Sequence, residues 1–313
     1  EDGYLWSGIA SGMDNTPRGE DCHVNLYWVD ALAQQALAAL SIRRLAEAIG
    51  HKRTAETFQR RYRKKCLLLQ QYWDEHDGCY YDRYAATGDL CRILTPASFW
   101  PLLAEAASPE QAIRQSRVLT DPQLLGGIVP LPSVARNSRY YDPRGGYWRG
   151  AVWLPSTCVT VKALEKYGLF RLATEVAATT LDWMVQTWDQ QEPHSIWECY
   201  APEKPEPGTN KWGNRCRSNF CGWSALGPIS LLIENVIGIV EANALTGCLK
   251  LRGGLPGRRG VRNFRFGQYR LDIIIENNRL EVVTEQPLRL ETEQQSLKCI
   301  PGKNVFDIRR EEL

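Results

Sequence analysis

The sequence carries no excess of charge of either sign. Its 313 residues hold 38 Lys and Arg against 36 Asp and Glu, a net charge of +2, and the basic residues are scattered along the chain. Such a weak field does not attract a polyanion, so we expect no nucleic acid partner. The one basic run, residues 60–65, lies in a stretch with helical periodicity and is interpreted as a solvated helix face.

Long apolar runs, a signal peptide and an initiator Met are also missing. No stretch is long enough to span a membrane, and we expect no membrane partner. No N-x-Ser/Thr site occurs; Asn15-Thr16-Pro17 comes near the pattern but has Pro in its third position. We therefore expect a soluble protein, favour the cytoplasm over a glycosylating compartment, and interpret the missing Met as the mark of a fragment or a processed product.

Histidine is scarce, and cysteine is poorly spaced for binding metal. The four histidines form no zinc-like pair, and none of the ten cysteines belongs to a C-x-x-C motif. We expect no metal site and interpret the cysteines as buried free thiols. Cys216 and Cys221, five residues apart, are the only local pair for which a disulfide is worth testing.

Tryptophan, in contrast, is abundant: the chain has 11 Trp and 13 Tyr but only 7 Phe. Aromatic rings with a polar edge suit a site that stacks on a flat ligand and hydrogen-bonds to its rim. Sugars offer such a surface, with apolar C–H faces and hydroxyl edges. The alternative is that these rings fill the core of a chain that is 43% hydrophobic.

Apolar residues recur at three- and four-residue steps over most of the first 240 residues. The pattern predicts helices over residues 23–49, 52–74, 96–107, 109–119, 152–167, 169–189 and 222–238. Asp77-Gly78 and Thr87-Gly88 interrupt it within residues 74–90 and predict a small hairpin. Ser108-Pro109 marks the start of the fourth helix. Paired helices with polar residues in long loops indicate a toroid of helical hairpins, with the functional residues at one end.

The pattern changes after residue 240. Residues 263–300 alternate β-branched and polar side chains, with Asn277-Asn278 as an expected turn. We predict antiparallel strands that form a small sandwich. The expected domains are a helical domain over residues 1–239 and a β-rich module over residues 240–313.

Three loops, residues 4–21, 140–156 and 194–224, combine aromatic residues, glycines and charges. Cleavage of a glycosidic bond needs two carboxyl groups, one to give a proton and one to take a proton from water. Asp14 in the first loop and Glu198 in the third suit these roles, because an aromatic, glycine-rich loop can desolvate each group and tune its pKa. The aromatic residues that we expect to contact a sugar in the third loop are Trp197, Tyr200, Trp212 and Trp223.

These candidates also have structural interpretations. Asp14 precedes Asn-Thr-Pro and can be a turn or helix-cap residue. Glu198 can be the ion-pair partner of Arg215 or Arg217. The arginines of the first two loops can likewise belong to ion pairs instead of holding a carboxylate or a sugar hydroxyl.

Three motifs together resemble glycoside hydrolase family 63 and its mannosylglycerate hydrolase and trehalase-like relatives. They are SGMDNTPR (11–18), GGYWRGAVW (145–153) and IWECYAP (196–202) ahead of GWS (222–224). The resemblance, which covers residues 4–238, implies an (α/α)6 barrel and hydrolysis with inversion, with Asp14 as general acid and Glu198 as general base. It also places the following residues around the sugar of the −1 subsite: Trp6, Asn15, Arg18, Trp148, Arg149 and Trp153.

The sequence departs from this family in two respects. A full toroid has twelve helices and the sequence predicts seven or eight, so we expect an N-terminal segment or a second chain to complete the barrel. Cys199 lies where such enzymes commonly carry Tyr or Phe, so the substrate preference of the family is not transferred to this chain.

We therefore expect an exo-acting, inverting glycosidase for an α-linked gluco- or manno-configured carbohydrate, working without a cofactor. Two alternatives stay open: an (α/α)6 disaccharide phosphorylase, in which phosphate replaces water, and a non-catalytic carbohydrate-binding subunit. Inversion requires the carboxyl groups of Asp14 and Glu198 to lie roughly 6.5–9.5 Å apart across one pocket. We also expect Trp148, Trp153 and Trp197 to line that pocket, with a ring face open to it.

Overall fold

Two long helical hairpins frame the first part of the chain in the computed structural model, which describes residues 3–21, 23–253, 255–277 and 279–308. The α-helices of this part are α1 (Gly8–Ser11), α2 (Val29–Ala48), α3 (Lys52–Leu69), α4 (Trp100–Leu103), α5 (Pro109–Ser116), α6 (Leu154–Lys166) and α7 (Phe170–Gln190). Short 3₁₀ turns cover His23–Asn25, Gln70–Tyr72, Pro96–Phe99 and Arg117–Leu119. Helix α2 packs against α3 and α6 against α7, and each pair is joined through a left-handed glycine, Gly50 or Gly168. Among the described residues, no helix is long and apolar enough to cross a membrane.

Two helices are shorter than the sequence pattern predicts, because the residues beside them enter small sheets. The short strands of this part are β1 (Leu26–Tyr27), β2 (Trp73–Asp74), β3 (Cys79–Tyr80), β4 (Asp82–Tyr84) and β5 (Leu90–Cys91). Strand β1 pairs with β4, so α2 begins only at Val29, and β2 pairs with β3, so α3 ends at Leu69. The single hairpin predicted over residues 74–90 is instead two hairpins, β2–β3 and β4–β5.

The helix predicted over residues 96–107 is reduced to a 3₁₀ turn and the four residues of α4. Pro101 fits in the first turn of a helix but not in its interior, so α4 begins at the residue before it. Glu105 has a left-handed backbone (φ +56°), which no helix can continue through. The next helix start is confirmed: Ser108 caps α5 through a capping box, and Pro109 occupies the first helical position.

A buried cluster of charges fixes the loop that follows α1. Arg18 is fully buried, and its guanidinium donates hydrogen bonds to Asp30 at 2.8 and 3.0 Å and to Asp82 at 2.5 and 2.7 Å. Burial by itself lowers the pKa of Arg18, but the two carboxylates raise it above its ordinary value, so the guanidinium stays charged. Asp82 also accepts from the backbone N–H of Val29, the first residue of α2. The cluster therefore ties the loop both to α2 and to β4.

Residues 226–313 form a second unit, built from two four-stranded sheets. Its strands are β6 (Ile239–Asn243), β7 (Cys248–Leu251), β8 (Arg259–Phe266), β9 (Tyr269–Glu276), β10 (Arg279–Thr284), β11 (Leu288–Glu291), β12 (Ser296–Cys299) and β13 (Gly302–Asp307). One sheet has the order β13-β10-β9-β8 and the other β12-β11-β7-β6. Buried residues of both sheets, among them Leu249, Ile273 and Leu290, form one core, which is the arrangement of a small sandwich.

Two details of this unit differ from the sequence-based expectation. A π-helical segment, Gly227–Ile237, packs Ile237 into the core of the sandwich, so the unit begins at Leu226 and not at residue 240. Strand β11 pairs in parallel with β7, because the three strands between them belong to the other sheet and no hairpin links the two. The expected turn joins β9 to β10, since Glu276 pairs with Arg279; Asn277 has a left-handed backbone there, and Asn278 lies outside the described residues.

We predict that Asp82→Asn lowers the free energy of unfolding of the helical unit, residues 1–225, by about 1–3 kcal/mol. Arg18 keeps Asp30 as its counter-ion, but the amide of Asn cannot accept all three hydrogen bonds that Asp82 accepts from Arg18 and Val29, so a buried donor is left unpaired. Urea titration followed by far-UV circular dichroism measures the change. The control is Glu175→Gln, which removes an ion pair with Arg171 whose side chains are exposed. Its expected effect is within about 0.5 kcal/mol. Similar small losses for both variants would contradict the assigned importance of the cluster.

Candidate active site

Asp14 lies in a tight turn directly after α1. Gly12 ends α1 with a left-handed backbone (φ +79°), and the N–H of Thr16 donates to the carbonyl of Met13 to close the turn. The expected turn is therefore present, but no N–H of the described residues donates to the Asp14 carboxylate. Its Oδ2 lies 3.7 Å from Nζ of Lys211, and 32% of the side chain is exposed. The carboxyl group is thus free of a capping role and open to a ligand.

Glu198 lies in a bend two residues before Tyr200, which pairs with Val152 just before α6. Tyr200 and Val152 exchange two backbone hydrogen bonds, at 2.9 and 3.1 Å, on one side of it. The hydroxyl of Ser224 donates to the carbonyl of Glu198 at 2.6 Å. These contacts fix the backbone from which the carboxylate projects.

Arg215 and Arg217, the ion-pair partners considered for Glu198, are engaged elsewhere. The Arg215 guanidinium donates to the carbonyl of Glu192 and lies 4.4 Å from the ring centre of Trp197. That of Arg217 lies over the ring of Phe220. Within the described residues neither arginine forms an ion pair with Glu198, so the structural interpretation of Glu198 is wrong.

The carboxylate of Glu198 has a different partner, Tyr147. The Tyr147 hydroxyl donates to Oε1 of Glu198 at 3.2 Å. Burial raises the pKa of this phenol, and the negative charges of Glu198 and Asp14 raise it further, so the hydroxyl stays protonated and remains a donor. Tyr147 has a left-handed backbone (φ +64°), which costs a residue with a β-carbon on the order of 1–3 kcal/mol.

Both carboxyl groups line the same cavity, which has a volume of about 460 Å³. Its lining residues are Asp14, Tyr147, Glu198, Asn210, Lys211, Trp212, Cys216 and Arg217. A second cavity of about 500 Å³ shares Asn210, Lys211 and Trp212 with the first and also contacts Asn15 and Arg149. The two carboxyl groups can therefore act on one substrate in this cavity. Their expected separation of roughly 6.5–9.5 Å stays a prediction.

The expectation that three tryptophans present open ring faces to this cavity is wrong. Trp148, Trp153 and Trp197 are only 5%, 1% and 1% exposed. Trp148 and Trp153 stack on each other, with ring centres 4.2 Å apart, in a buried cluster that also contains Cys216. These rings therefore belong to the core beside the cavity and do not form its surface. This agrees with the alternative interpretation, in which such rings fill the core.

The other predicted aromatic residues divide between surface and core. Trp212 lines the cavity, is 75% exposed, and lies beneath the ammonium group of Lys211. Trp223 is half exposed and lies against Gly12. Tyr200 is buried, with its hydroxyl accepting from the backbone N–H of Trp197. Trp6 packs edge-on against Trp28, outside the cavity.

The polar residues expected around the sugar hold loops together. Asn15 accepts from the N–H of Trp148 at 2.9 Å and donates to the carbonyl of Gly146 at 3.0 Å. Nε of Arg149 donates to the carbonyl of Asn15 at 3.1 Å. Arg18, placed beside the sugar by the family resemblance, is buried between two carboxylates, so it cannot contact a ligand and the expectation for it is wrong.

Sequence reasoning missed Tyr147, Asn210, Lys211, Cys216 and Arg217 as lining residues. The signal for Tyr147 was present, because it stands between a double glycine and a tryptophan in the second loop. The residues from 210 to 217 form a tight turn in which Asn210 accepts from the N–H groups of Trp212 and Asn214. The sequence of such a polar turn does not indicate whether its side chains face a cavity or the open solvent.

The cysteines are free thiols in the described part of the chain, including Cys216 and Cys221, so the disulfide considered for that pair is absent there. Sγ of Cys199 lies 3.3 Å from Sγ of Cys216 above Gly208, which leaves room for both because it has no side chain. Burial and the contact with Cys216 raise the pKa of the Cys199 thiol well above its ordinary value. The thiol beside Glu198 therefore stays protonated.

One group of described residues, Asp74, His76 and Asp77, brings possible metal ligands within 4.8 Å of one another. Asp74 already accepts two hydrogen bonds from the Arg92 guanidinium, at 2.6 and 2.9 Å. The same guanidinium lies 3.9 Å from Asp77. One arginine thus offsets part of the negative charge of the group, and the group is distinct from the residues that line the cavity of Asp14 and Glu198.

Comparison with known proteins decides the family. Residues 1–224 match the family model described as the mannosylglycerate hydrolase MGH1-like glycoside hydrolase domain. The chain belongs to this family. The resemblance to glycoside hydrolase family 63 on the three sequence motifs is thereby confirmed.

Relatives of this MGH1-like domain include the mannosyl-oligosaccharide glucosidase of Saccharomyces cerevisiae, which is 24% identical over 260 residues, 75% of this chain and 30% of that protein. The solved GH63 mannosylglycerate hydrolase of Thermus thermophilus superposes with a TM-score of 0.54 at 22% identity, covering 64% of this chain and 44% of its own. A neutral trehalase of Saccharomyces cerevisiae superposes with a TM-score of 0.59 at 20% identity, covering 72% and 41%. Likeness at these identities shows a common fold, that of (α/α)6-type glycosidases. The chain spans less than half the length of each of these three relatives.

We predict that Asn15→Ala lowers the free energy of unfolding by about 1–3 kcal/mol, because it leaves the N–H of Trp148 and the carbonyl of Gly146 without their side-chain partner. Urea titration followed by tryptophan fluorescence measures the loss. The control is Asn137→Ala, which removes an exposed side chain with no hydrogen bond among the described residues; we expect a change within about 0.5 kcal/mol. Equal effects of the two substitutions would show that Asn15 does not hold the second loop.

Proposed function

We propose that the chain provides the catalytic carboxyl groups of an inverting glycoside hydrolase. The observation that carries the proposal is the presence of Asp14 and Glu198 on one cavity, each on a loop fixed by hydrogen bonds to distant parts of the helical unit. Asp14 is the general acid that protonates the glycosidic oxygen as the bond breaks. Glu198 is the general base that takes a proton from the attacking water. This chemistry requires no cofactor.

The environments of the two carboxyl groups support different roles for them. Glu198 accepts a hydrogen bond from Tyr147 at Oε1, and Oε2 has no partner among the described residues, so one oxygen is left to accept a proton. Asp14 lies at a turn whose next residue, Asn15, lines the second cavity, where a leaving group has room. Asp14 is therefore assigned to the leaving-group side and Glu198 to the water side.

The substrate class is proposed from the relatives and from the lining residues. The named relatives act on a mannosyl-oligosaccharide, on mannosylglycerate and, for the trehalases, on trehalose, and we extend an α-linked gluco- or manno-configured substrate to this chain. Trp212 offers the exposed aromatic face on which a sugar stacks. Exo-action is part of the proposal. The substrate binds with its terminal sugar between the carboxyl groups.

Phosphorolysis is a second candidate, because Lys211 and Arg217 add two cations to the cavity. A phosphate that replaced water would need such charges near Glu198. Turnover that depends on added phosphate and ceases in phosphate-free buffer would favour a phosphorylase. Binding of a sugar without release of any product would favour a non-catalytic role.

We predict that Asp14→Asn and Glu198→Gln change activity in different ways. Asp14→Asn removes a transferable proton, so kcat for glycosides with poor leaving groups should fall by about 10²–10⁴-fold. A glycosyl fluoride needs little protonation and should lose much less. Glu198→Gln should slow both substrates alike, because each turnover requires the activated water. Steady-state kinetics on an aryl glycoside, a disaccharide and the fluoride measure the contrast.

The matched controls are Asp182→Asn and Glu175→Gln, which are exposed and lie on α7 away from the cavity. They should leave all three rates unchanged. Equal losses for the two cavity variants on all substrates would contradict the assignment of acid and base. Full activity of Asp14→Asn would show that Asp14 is only a turn residue and not the general acid.

A further inference from the structure

Tyr147 stands in an unusual position for a residue with a side chain. Its left-handed backbone follows Gly145 and Gly146, which also have positive φ, in a segment where glycine is the residue without a steric cost. A tyrosine in this conformation persists only where the surrounding structure holds it there, and strained residues of this kind cluster at functional sites. The side chain reaches the carboxylate of Glu198.

Hydrogen bonds hold the backbone of Tyr147 at both its N–H group and its carbonyl group. Its N–H donates to the carbonyl of Thr209 at 2.7 Å. Its carbonyl accepts from Nε1 of the buried Trp153 at 3.1 Å and from the hydroxyl of Ser133 at 3.4 Å. The phenol ring lies edge-on to Trp153, with ring centres 5.0 Å apart. These contacts therefore hold the Tyr147 hydroxyl in a fixed position beside the Glu198 carboxylate.

We infer that Tyr147 is the positioning residue of the general base: its hydroxyl holds Oε1 of Glu198 so that Oε2 is aimed at the attacking water. The inference rests on the proposed hydrolase function, and assigns Tyr147 a part in it without placing it in contact with the reacting atoms. A fixed carboxylate presents one lone pair in a constant direction, which is what a base needs in order to act on a water of defined position.

The test is Tyr147→Phe, which keeps the ring and its packing and removes only the hydroxyl. One readout is kcat on a disaccharide and on the glycosyl fluoride, which should fall alike, by roughly tenfold, because every turnover needs the activated water. The other readout is KM, which should not change, since the hydroxyl acts on the base and not on the bound sugar.

The control is Tyr167→Phe, which removes another half-buried hydroxyl that donates to a backbone carbonyl, that of Ala107. It should change neither the two rates nor KM, and thermal unfolding of both variants reports any loss of folding. In an active enzyme, unchanged rates in Tyr147→Phe overturn the inference alone. So does a loss confined to the disaccharide, since Tyr147 would then act through Asp14, and so does a rise in KM without a fall in kcat, since Tyr147 would then bind the sugar. Wild-type protein that turns over no glycoside overturns the hydrolase proposal, and with it the inference.

Discussion

The geometry of the candidate site depends on the buried guanidinium of Arg18. Within the described cluster, this guanidinium is the one positive charge that contacts both Asp30 and Asp82. A buried carboxylate without a positively charged partner is strongly destabilising. Because Asp30 lies on α2 and Asp82 on β4, the cluster joins the loop after α1 to two elements that are distant in sequence. Asp14 is four residues away from this anchor, on the same loop.

A second connection runs from that loop to the base. Asn15, next to Asp14, holds both Gly146 and Trp148, and the residue between these two is Tyr147, whose hydroxyl reaches Glu198. The segment that carries Asp14 is thus linked to the carboxylate of Glu198 through a short series of hydrogen bonds. Trp148 and Trp153, stacked in the buried cluster against which Tyr147 packs, contribute packing and not contact with a sugar.

Sequence patterns predicted what depends on local chemistry. The start of α5 followed from Ser108 and Pro109, and the shared cavity of Asp14 and Glu198 is in keeping with the order of the family motifs. The burial of Trp148, Trp153 and Trp197 could not be predicted, because a tryptophan in a glycine-rich polar loop has the same sequence signature whichever side its ring faces. Arg18 was misassigned for a related reason: its two carboxylate partners lie 12 and 64 residues away. The parallel pairing of β7 with β11 likewise depends on strands of the other sheet.

The central claim is that Glu198 directs water to the face of the sugar opposite the leaving group that Asp14 protonates. The anomer released first tests it most directly, observed by ¹H NMR in the first minutes of turnover, before mutarotation mixes the two forms. Inversion by this pair of carboxyl groups predicts that an α-glycoside yields the β-anomer of the free sugar first. Initial release of the α-anomer would mean retention through a covalent intermediate and would contradict the roles assigned to Asp14 and Glu198.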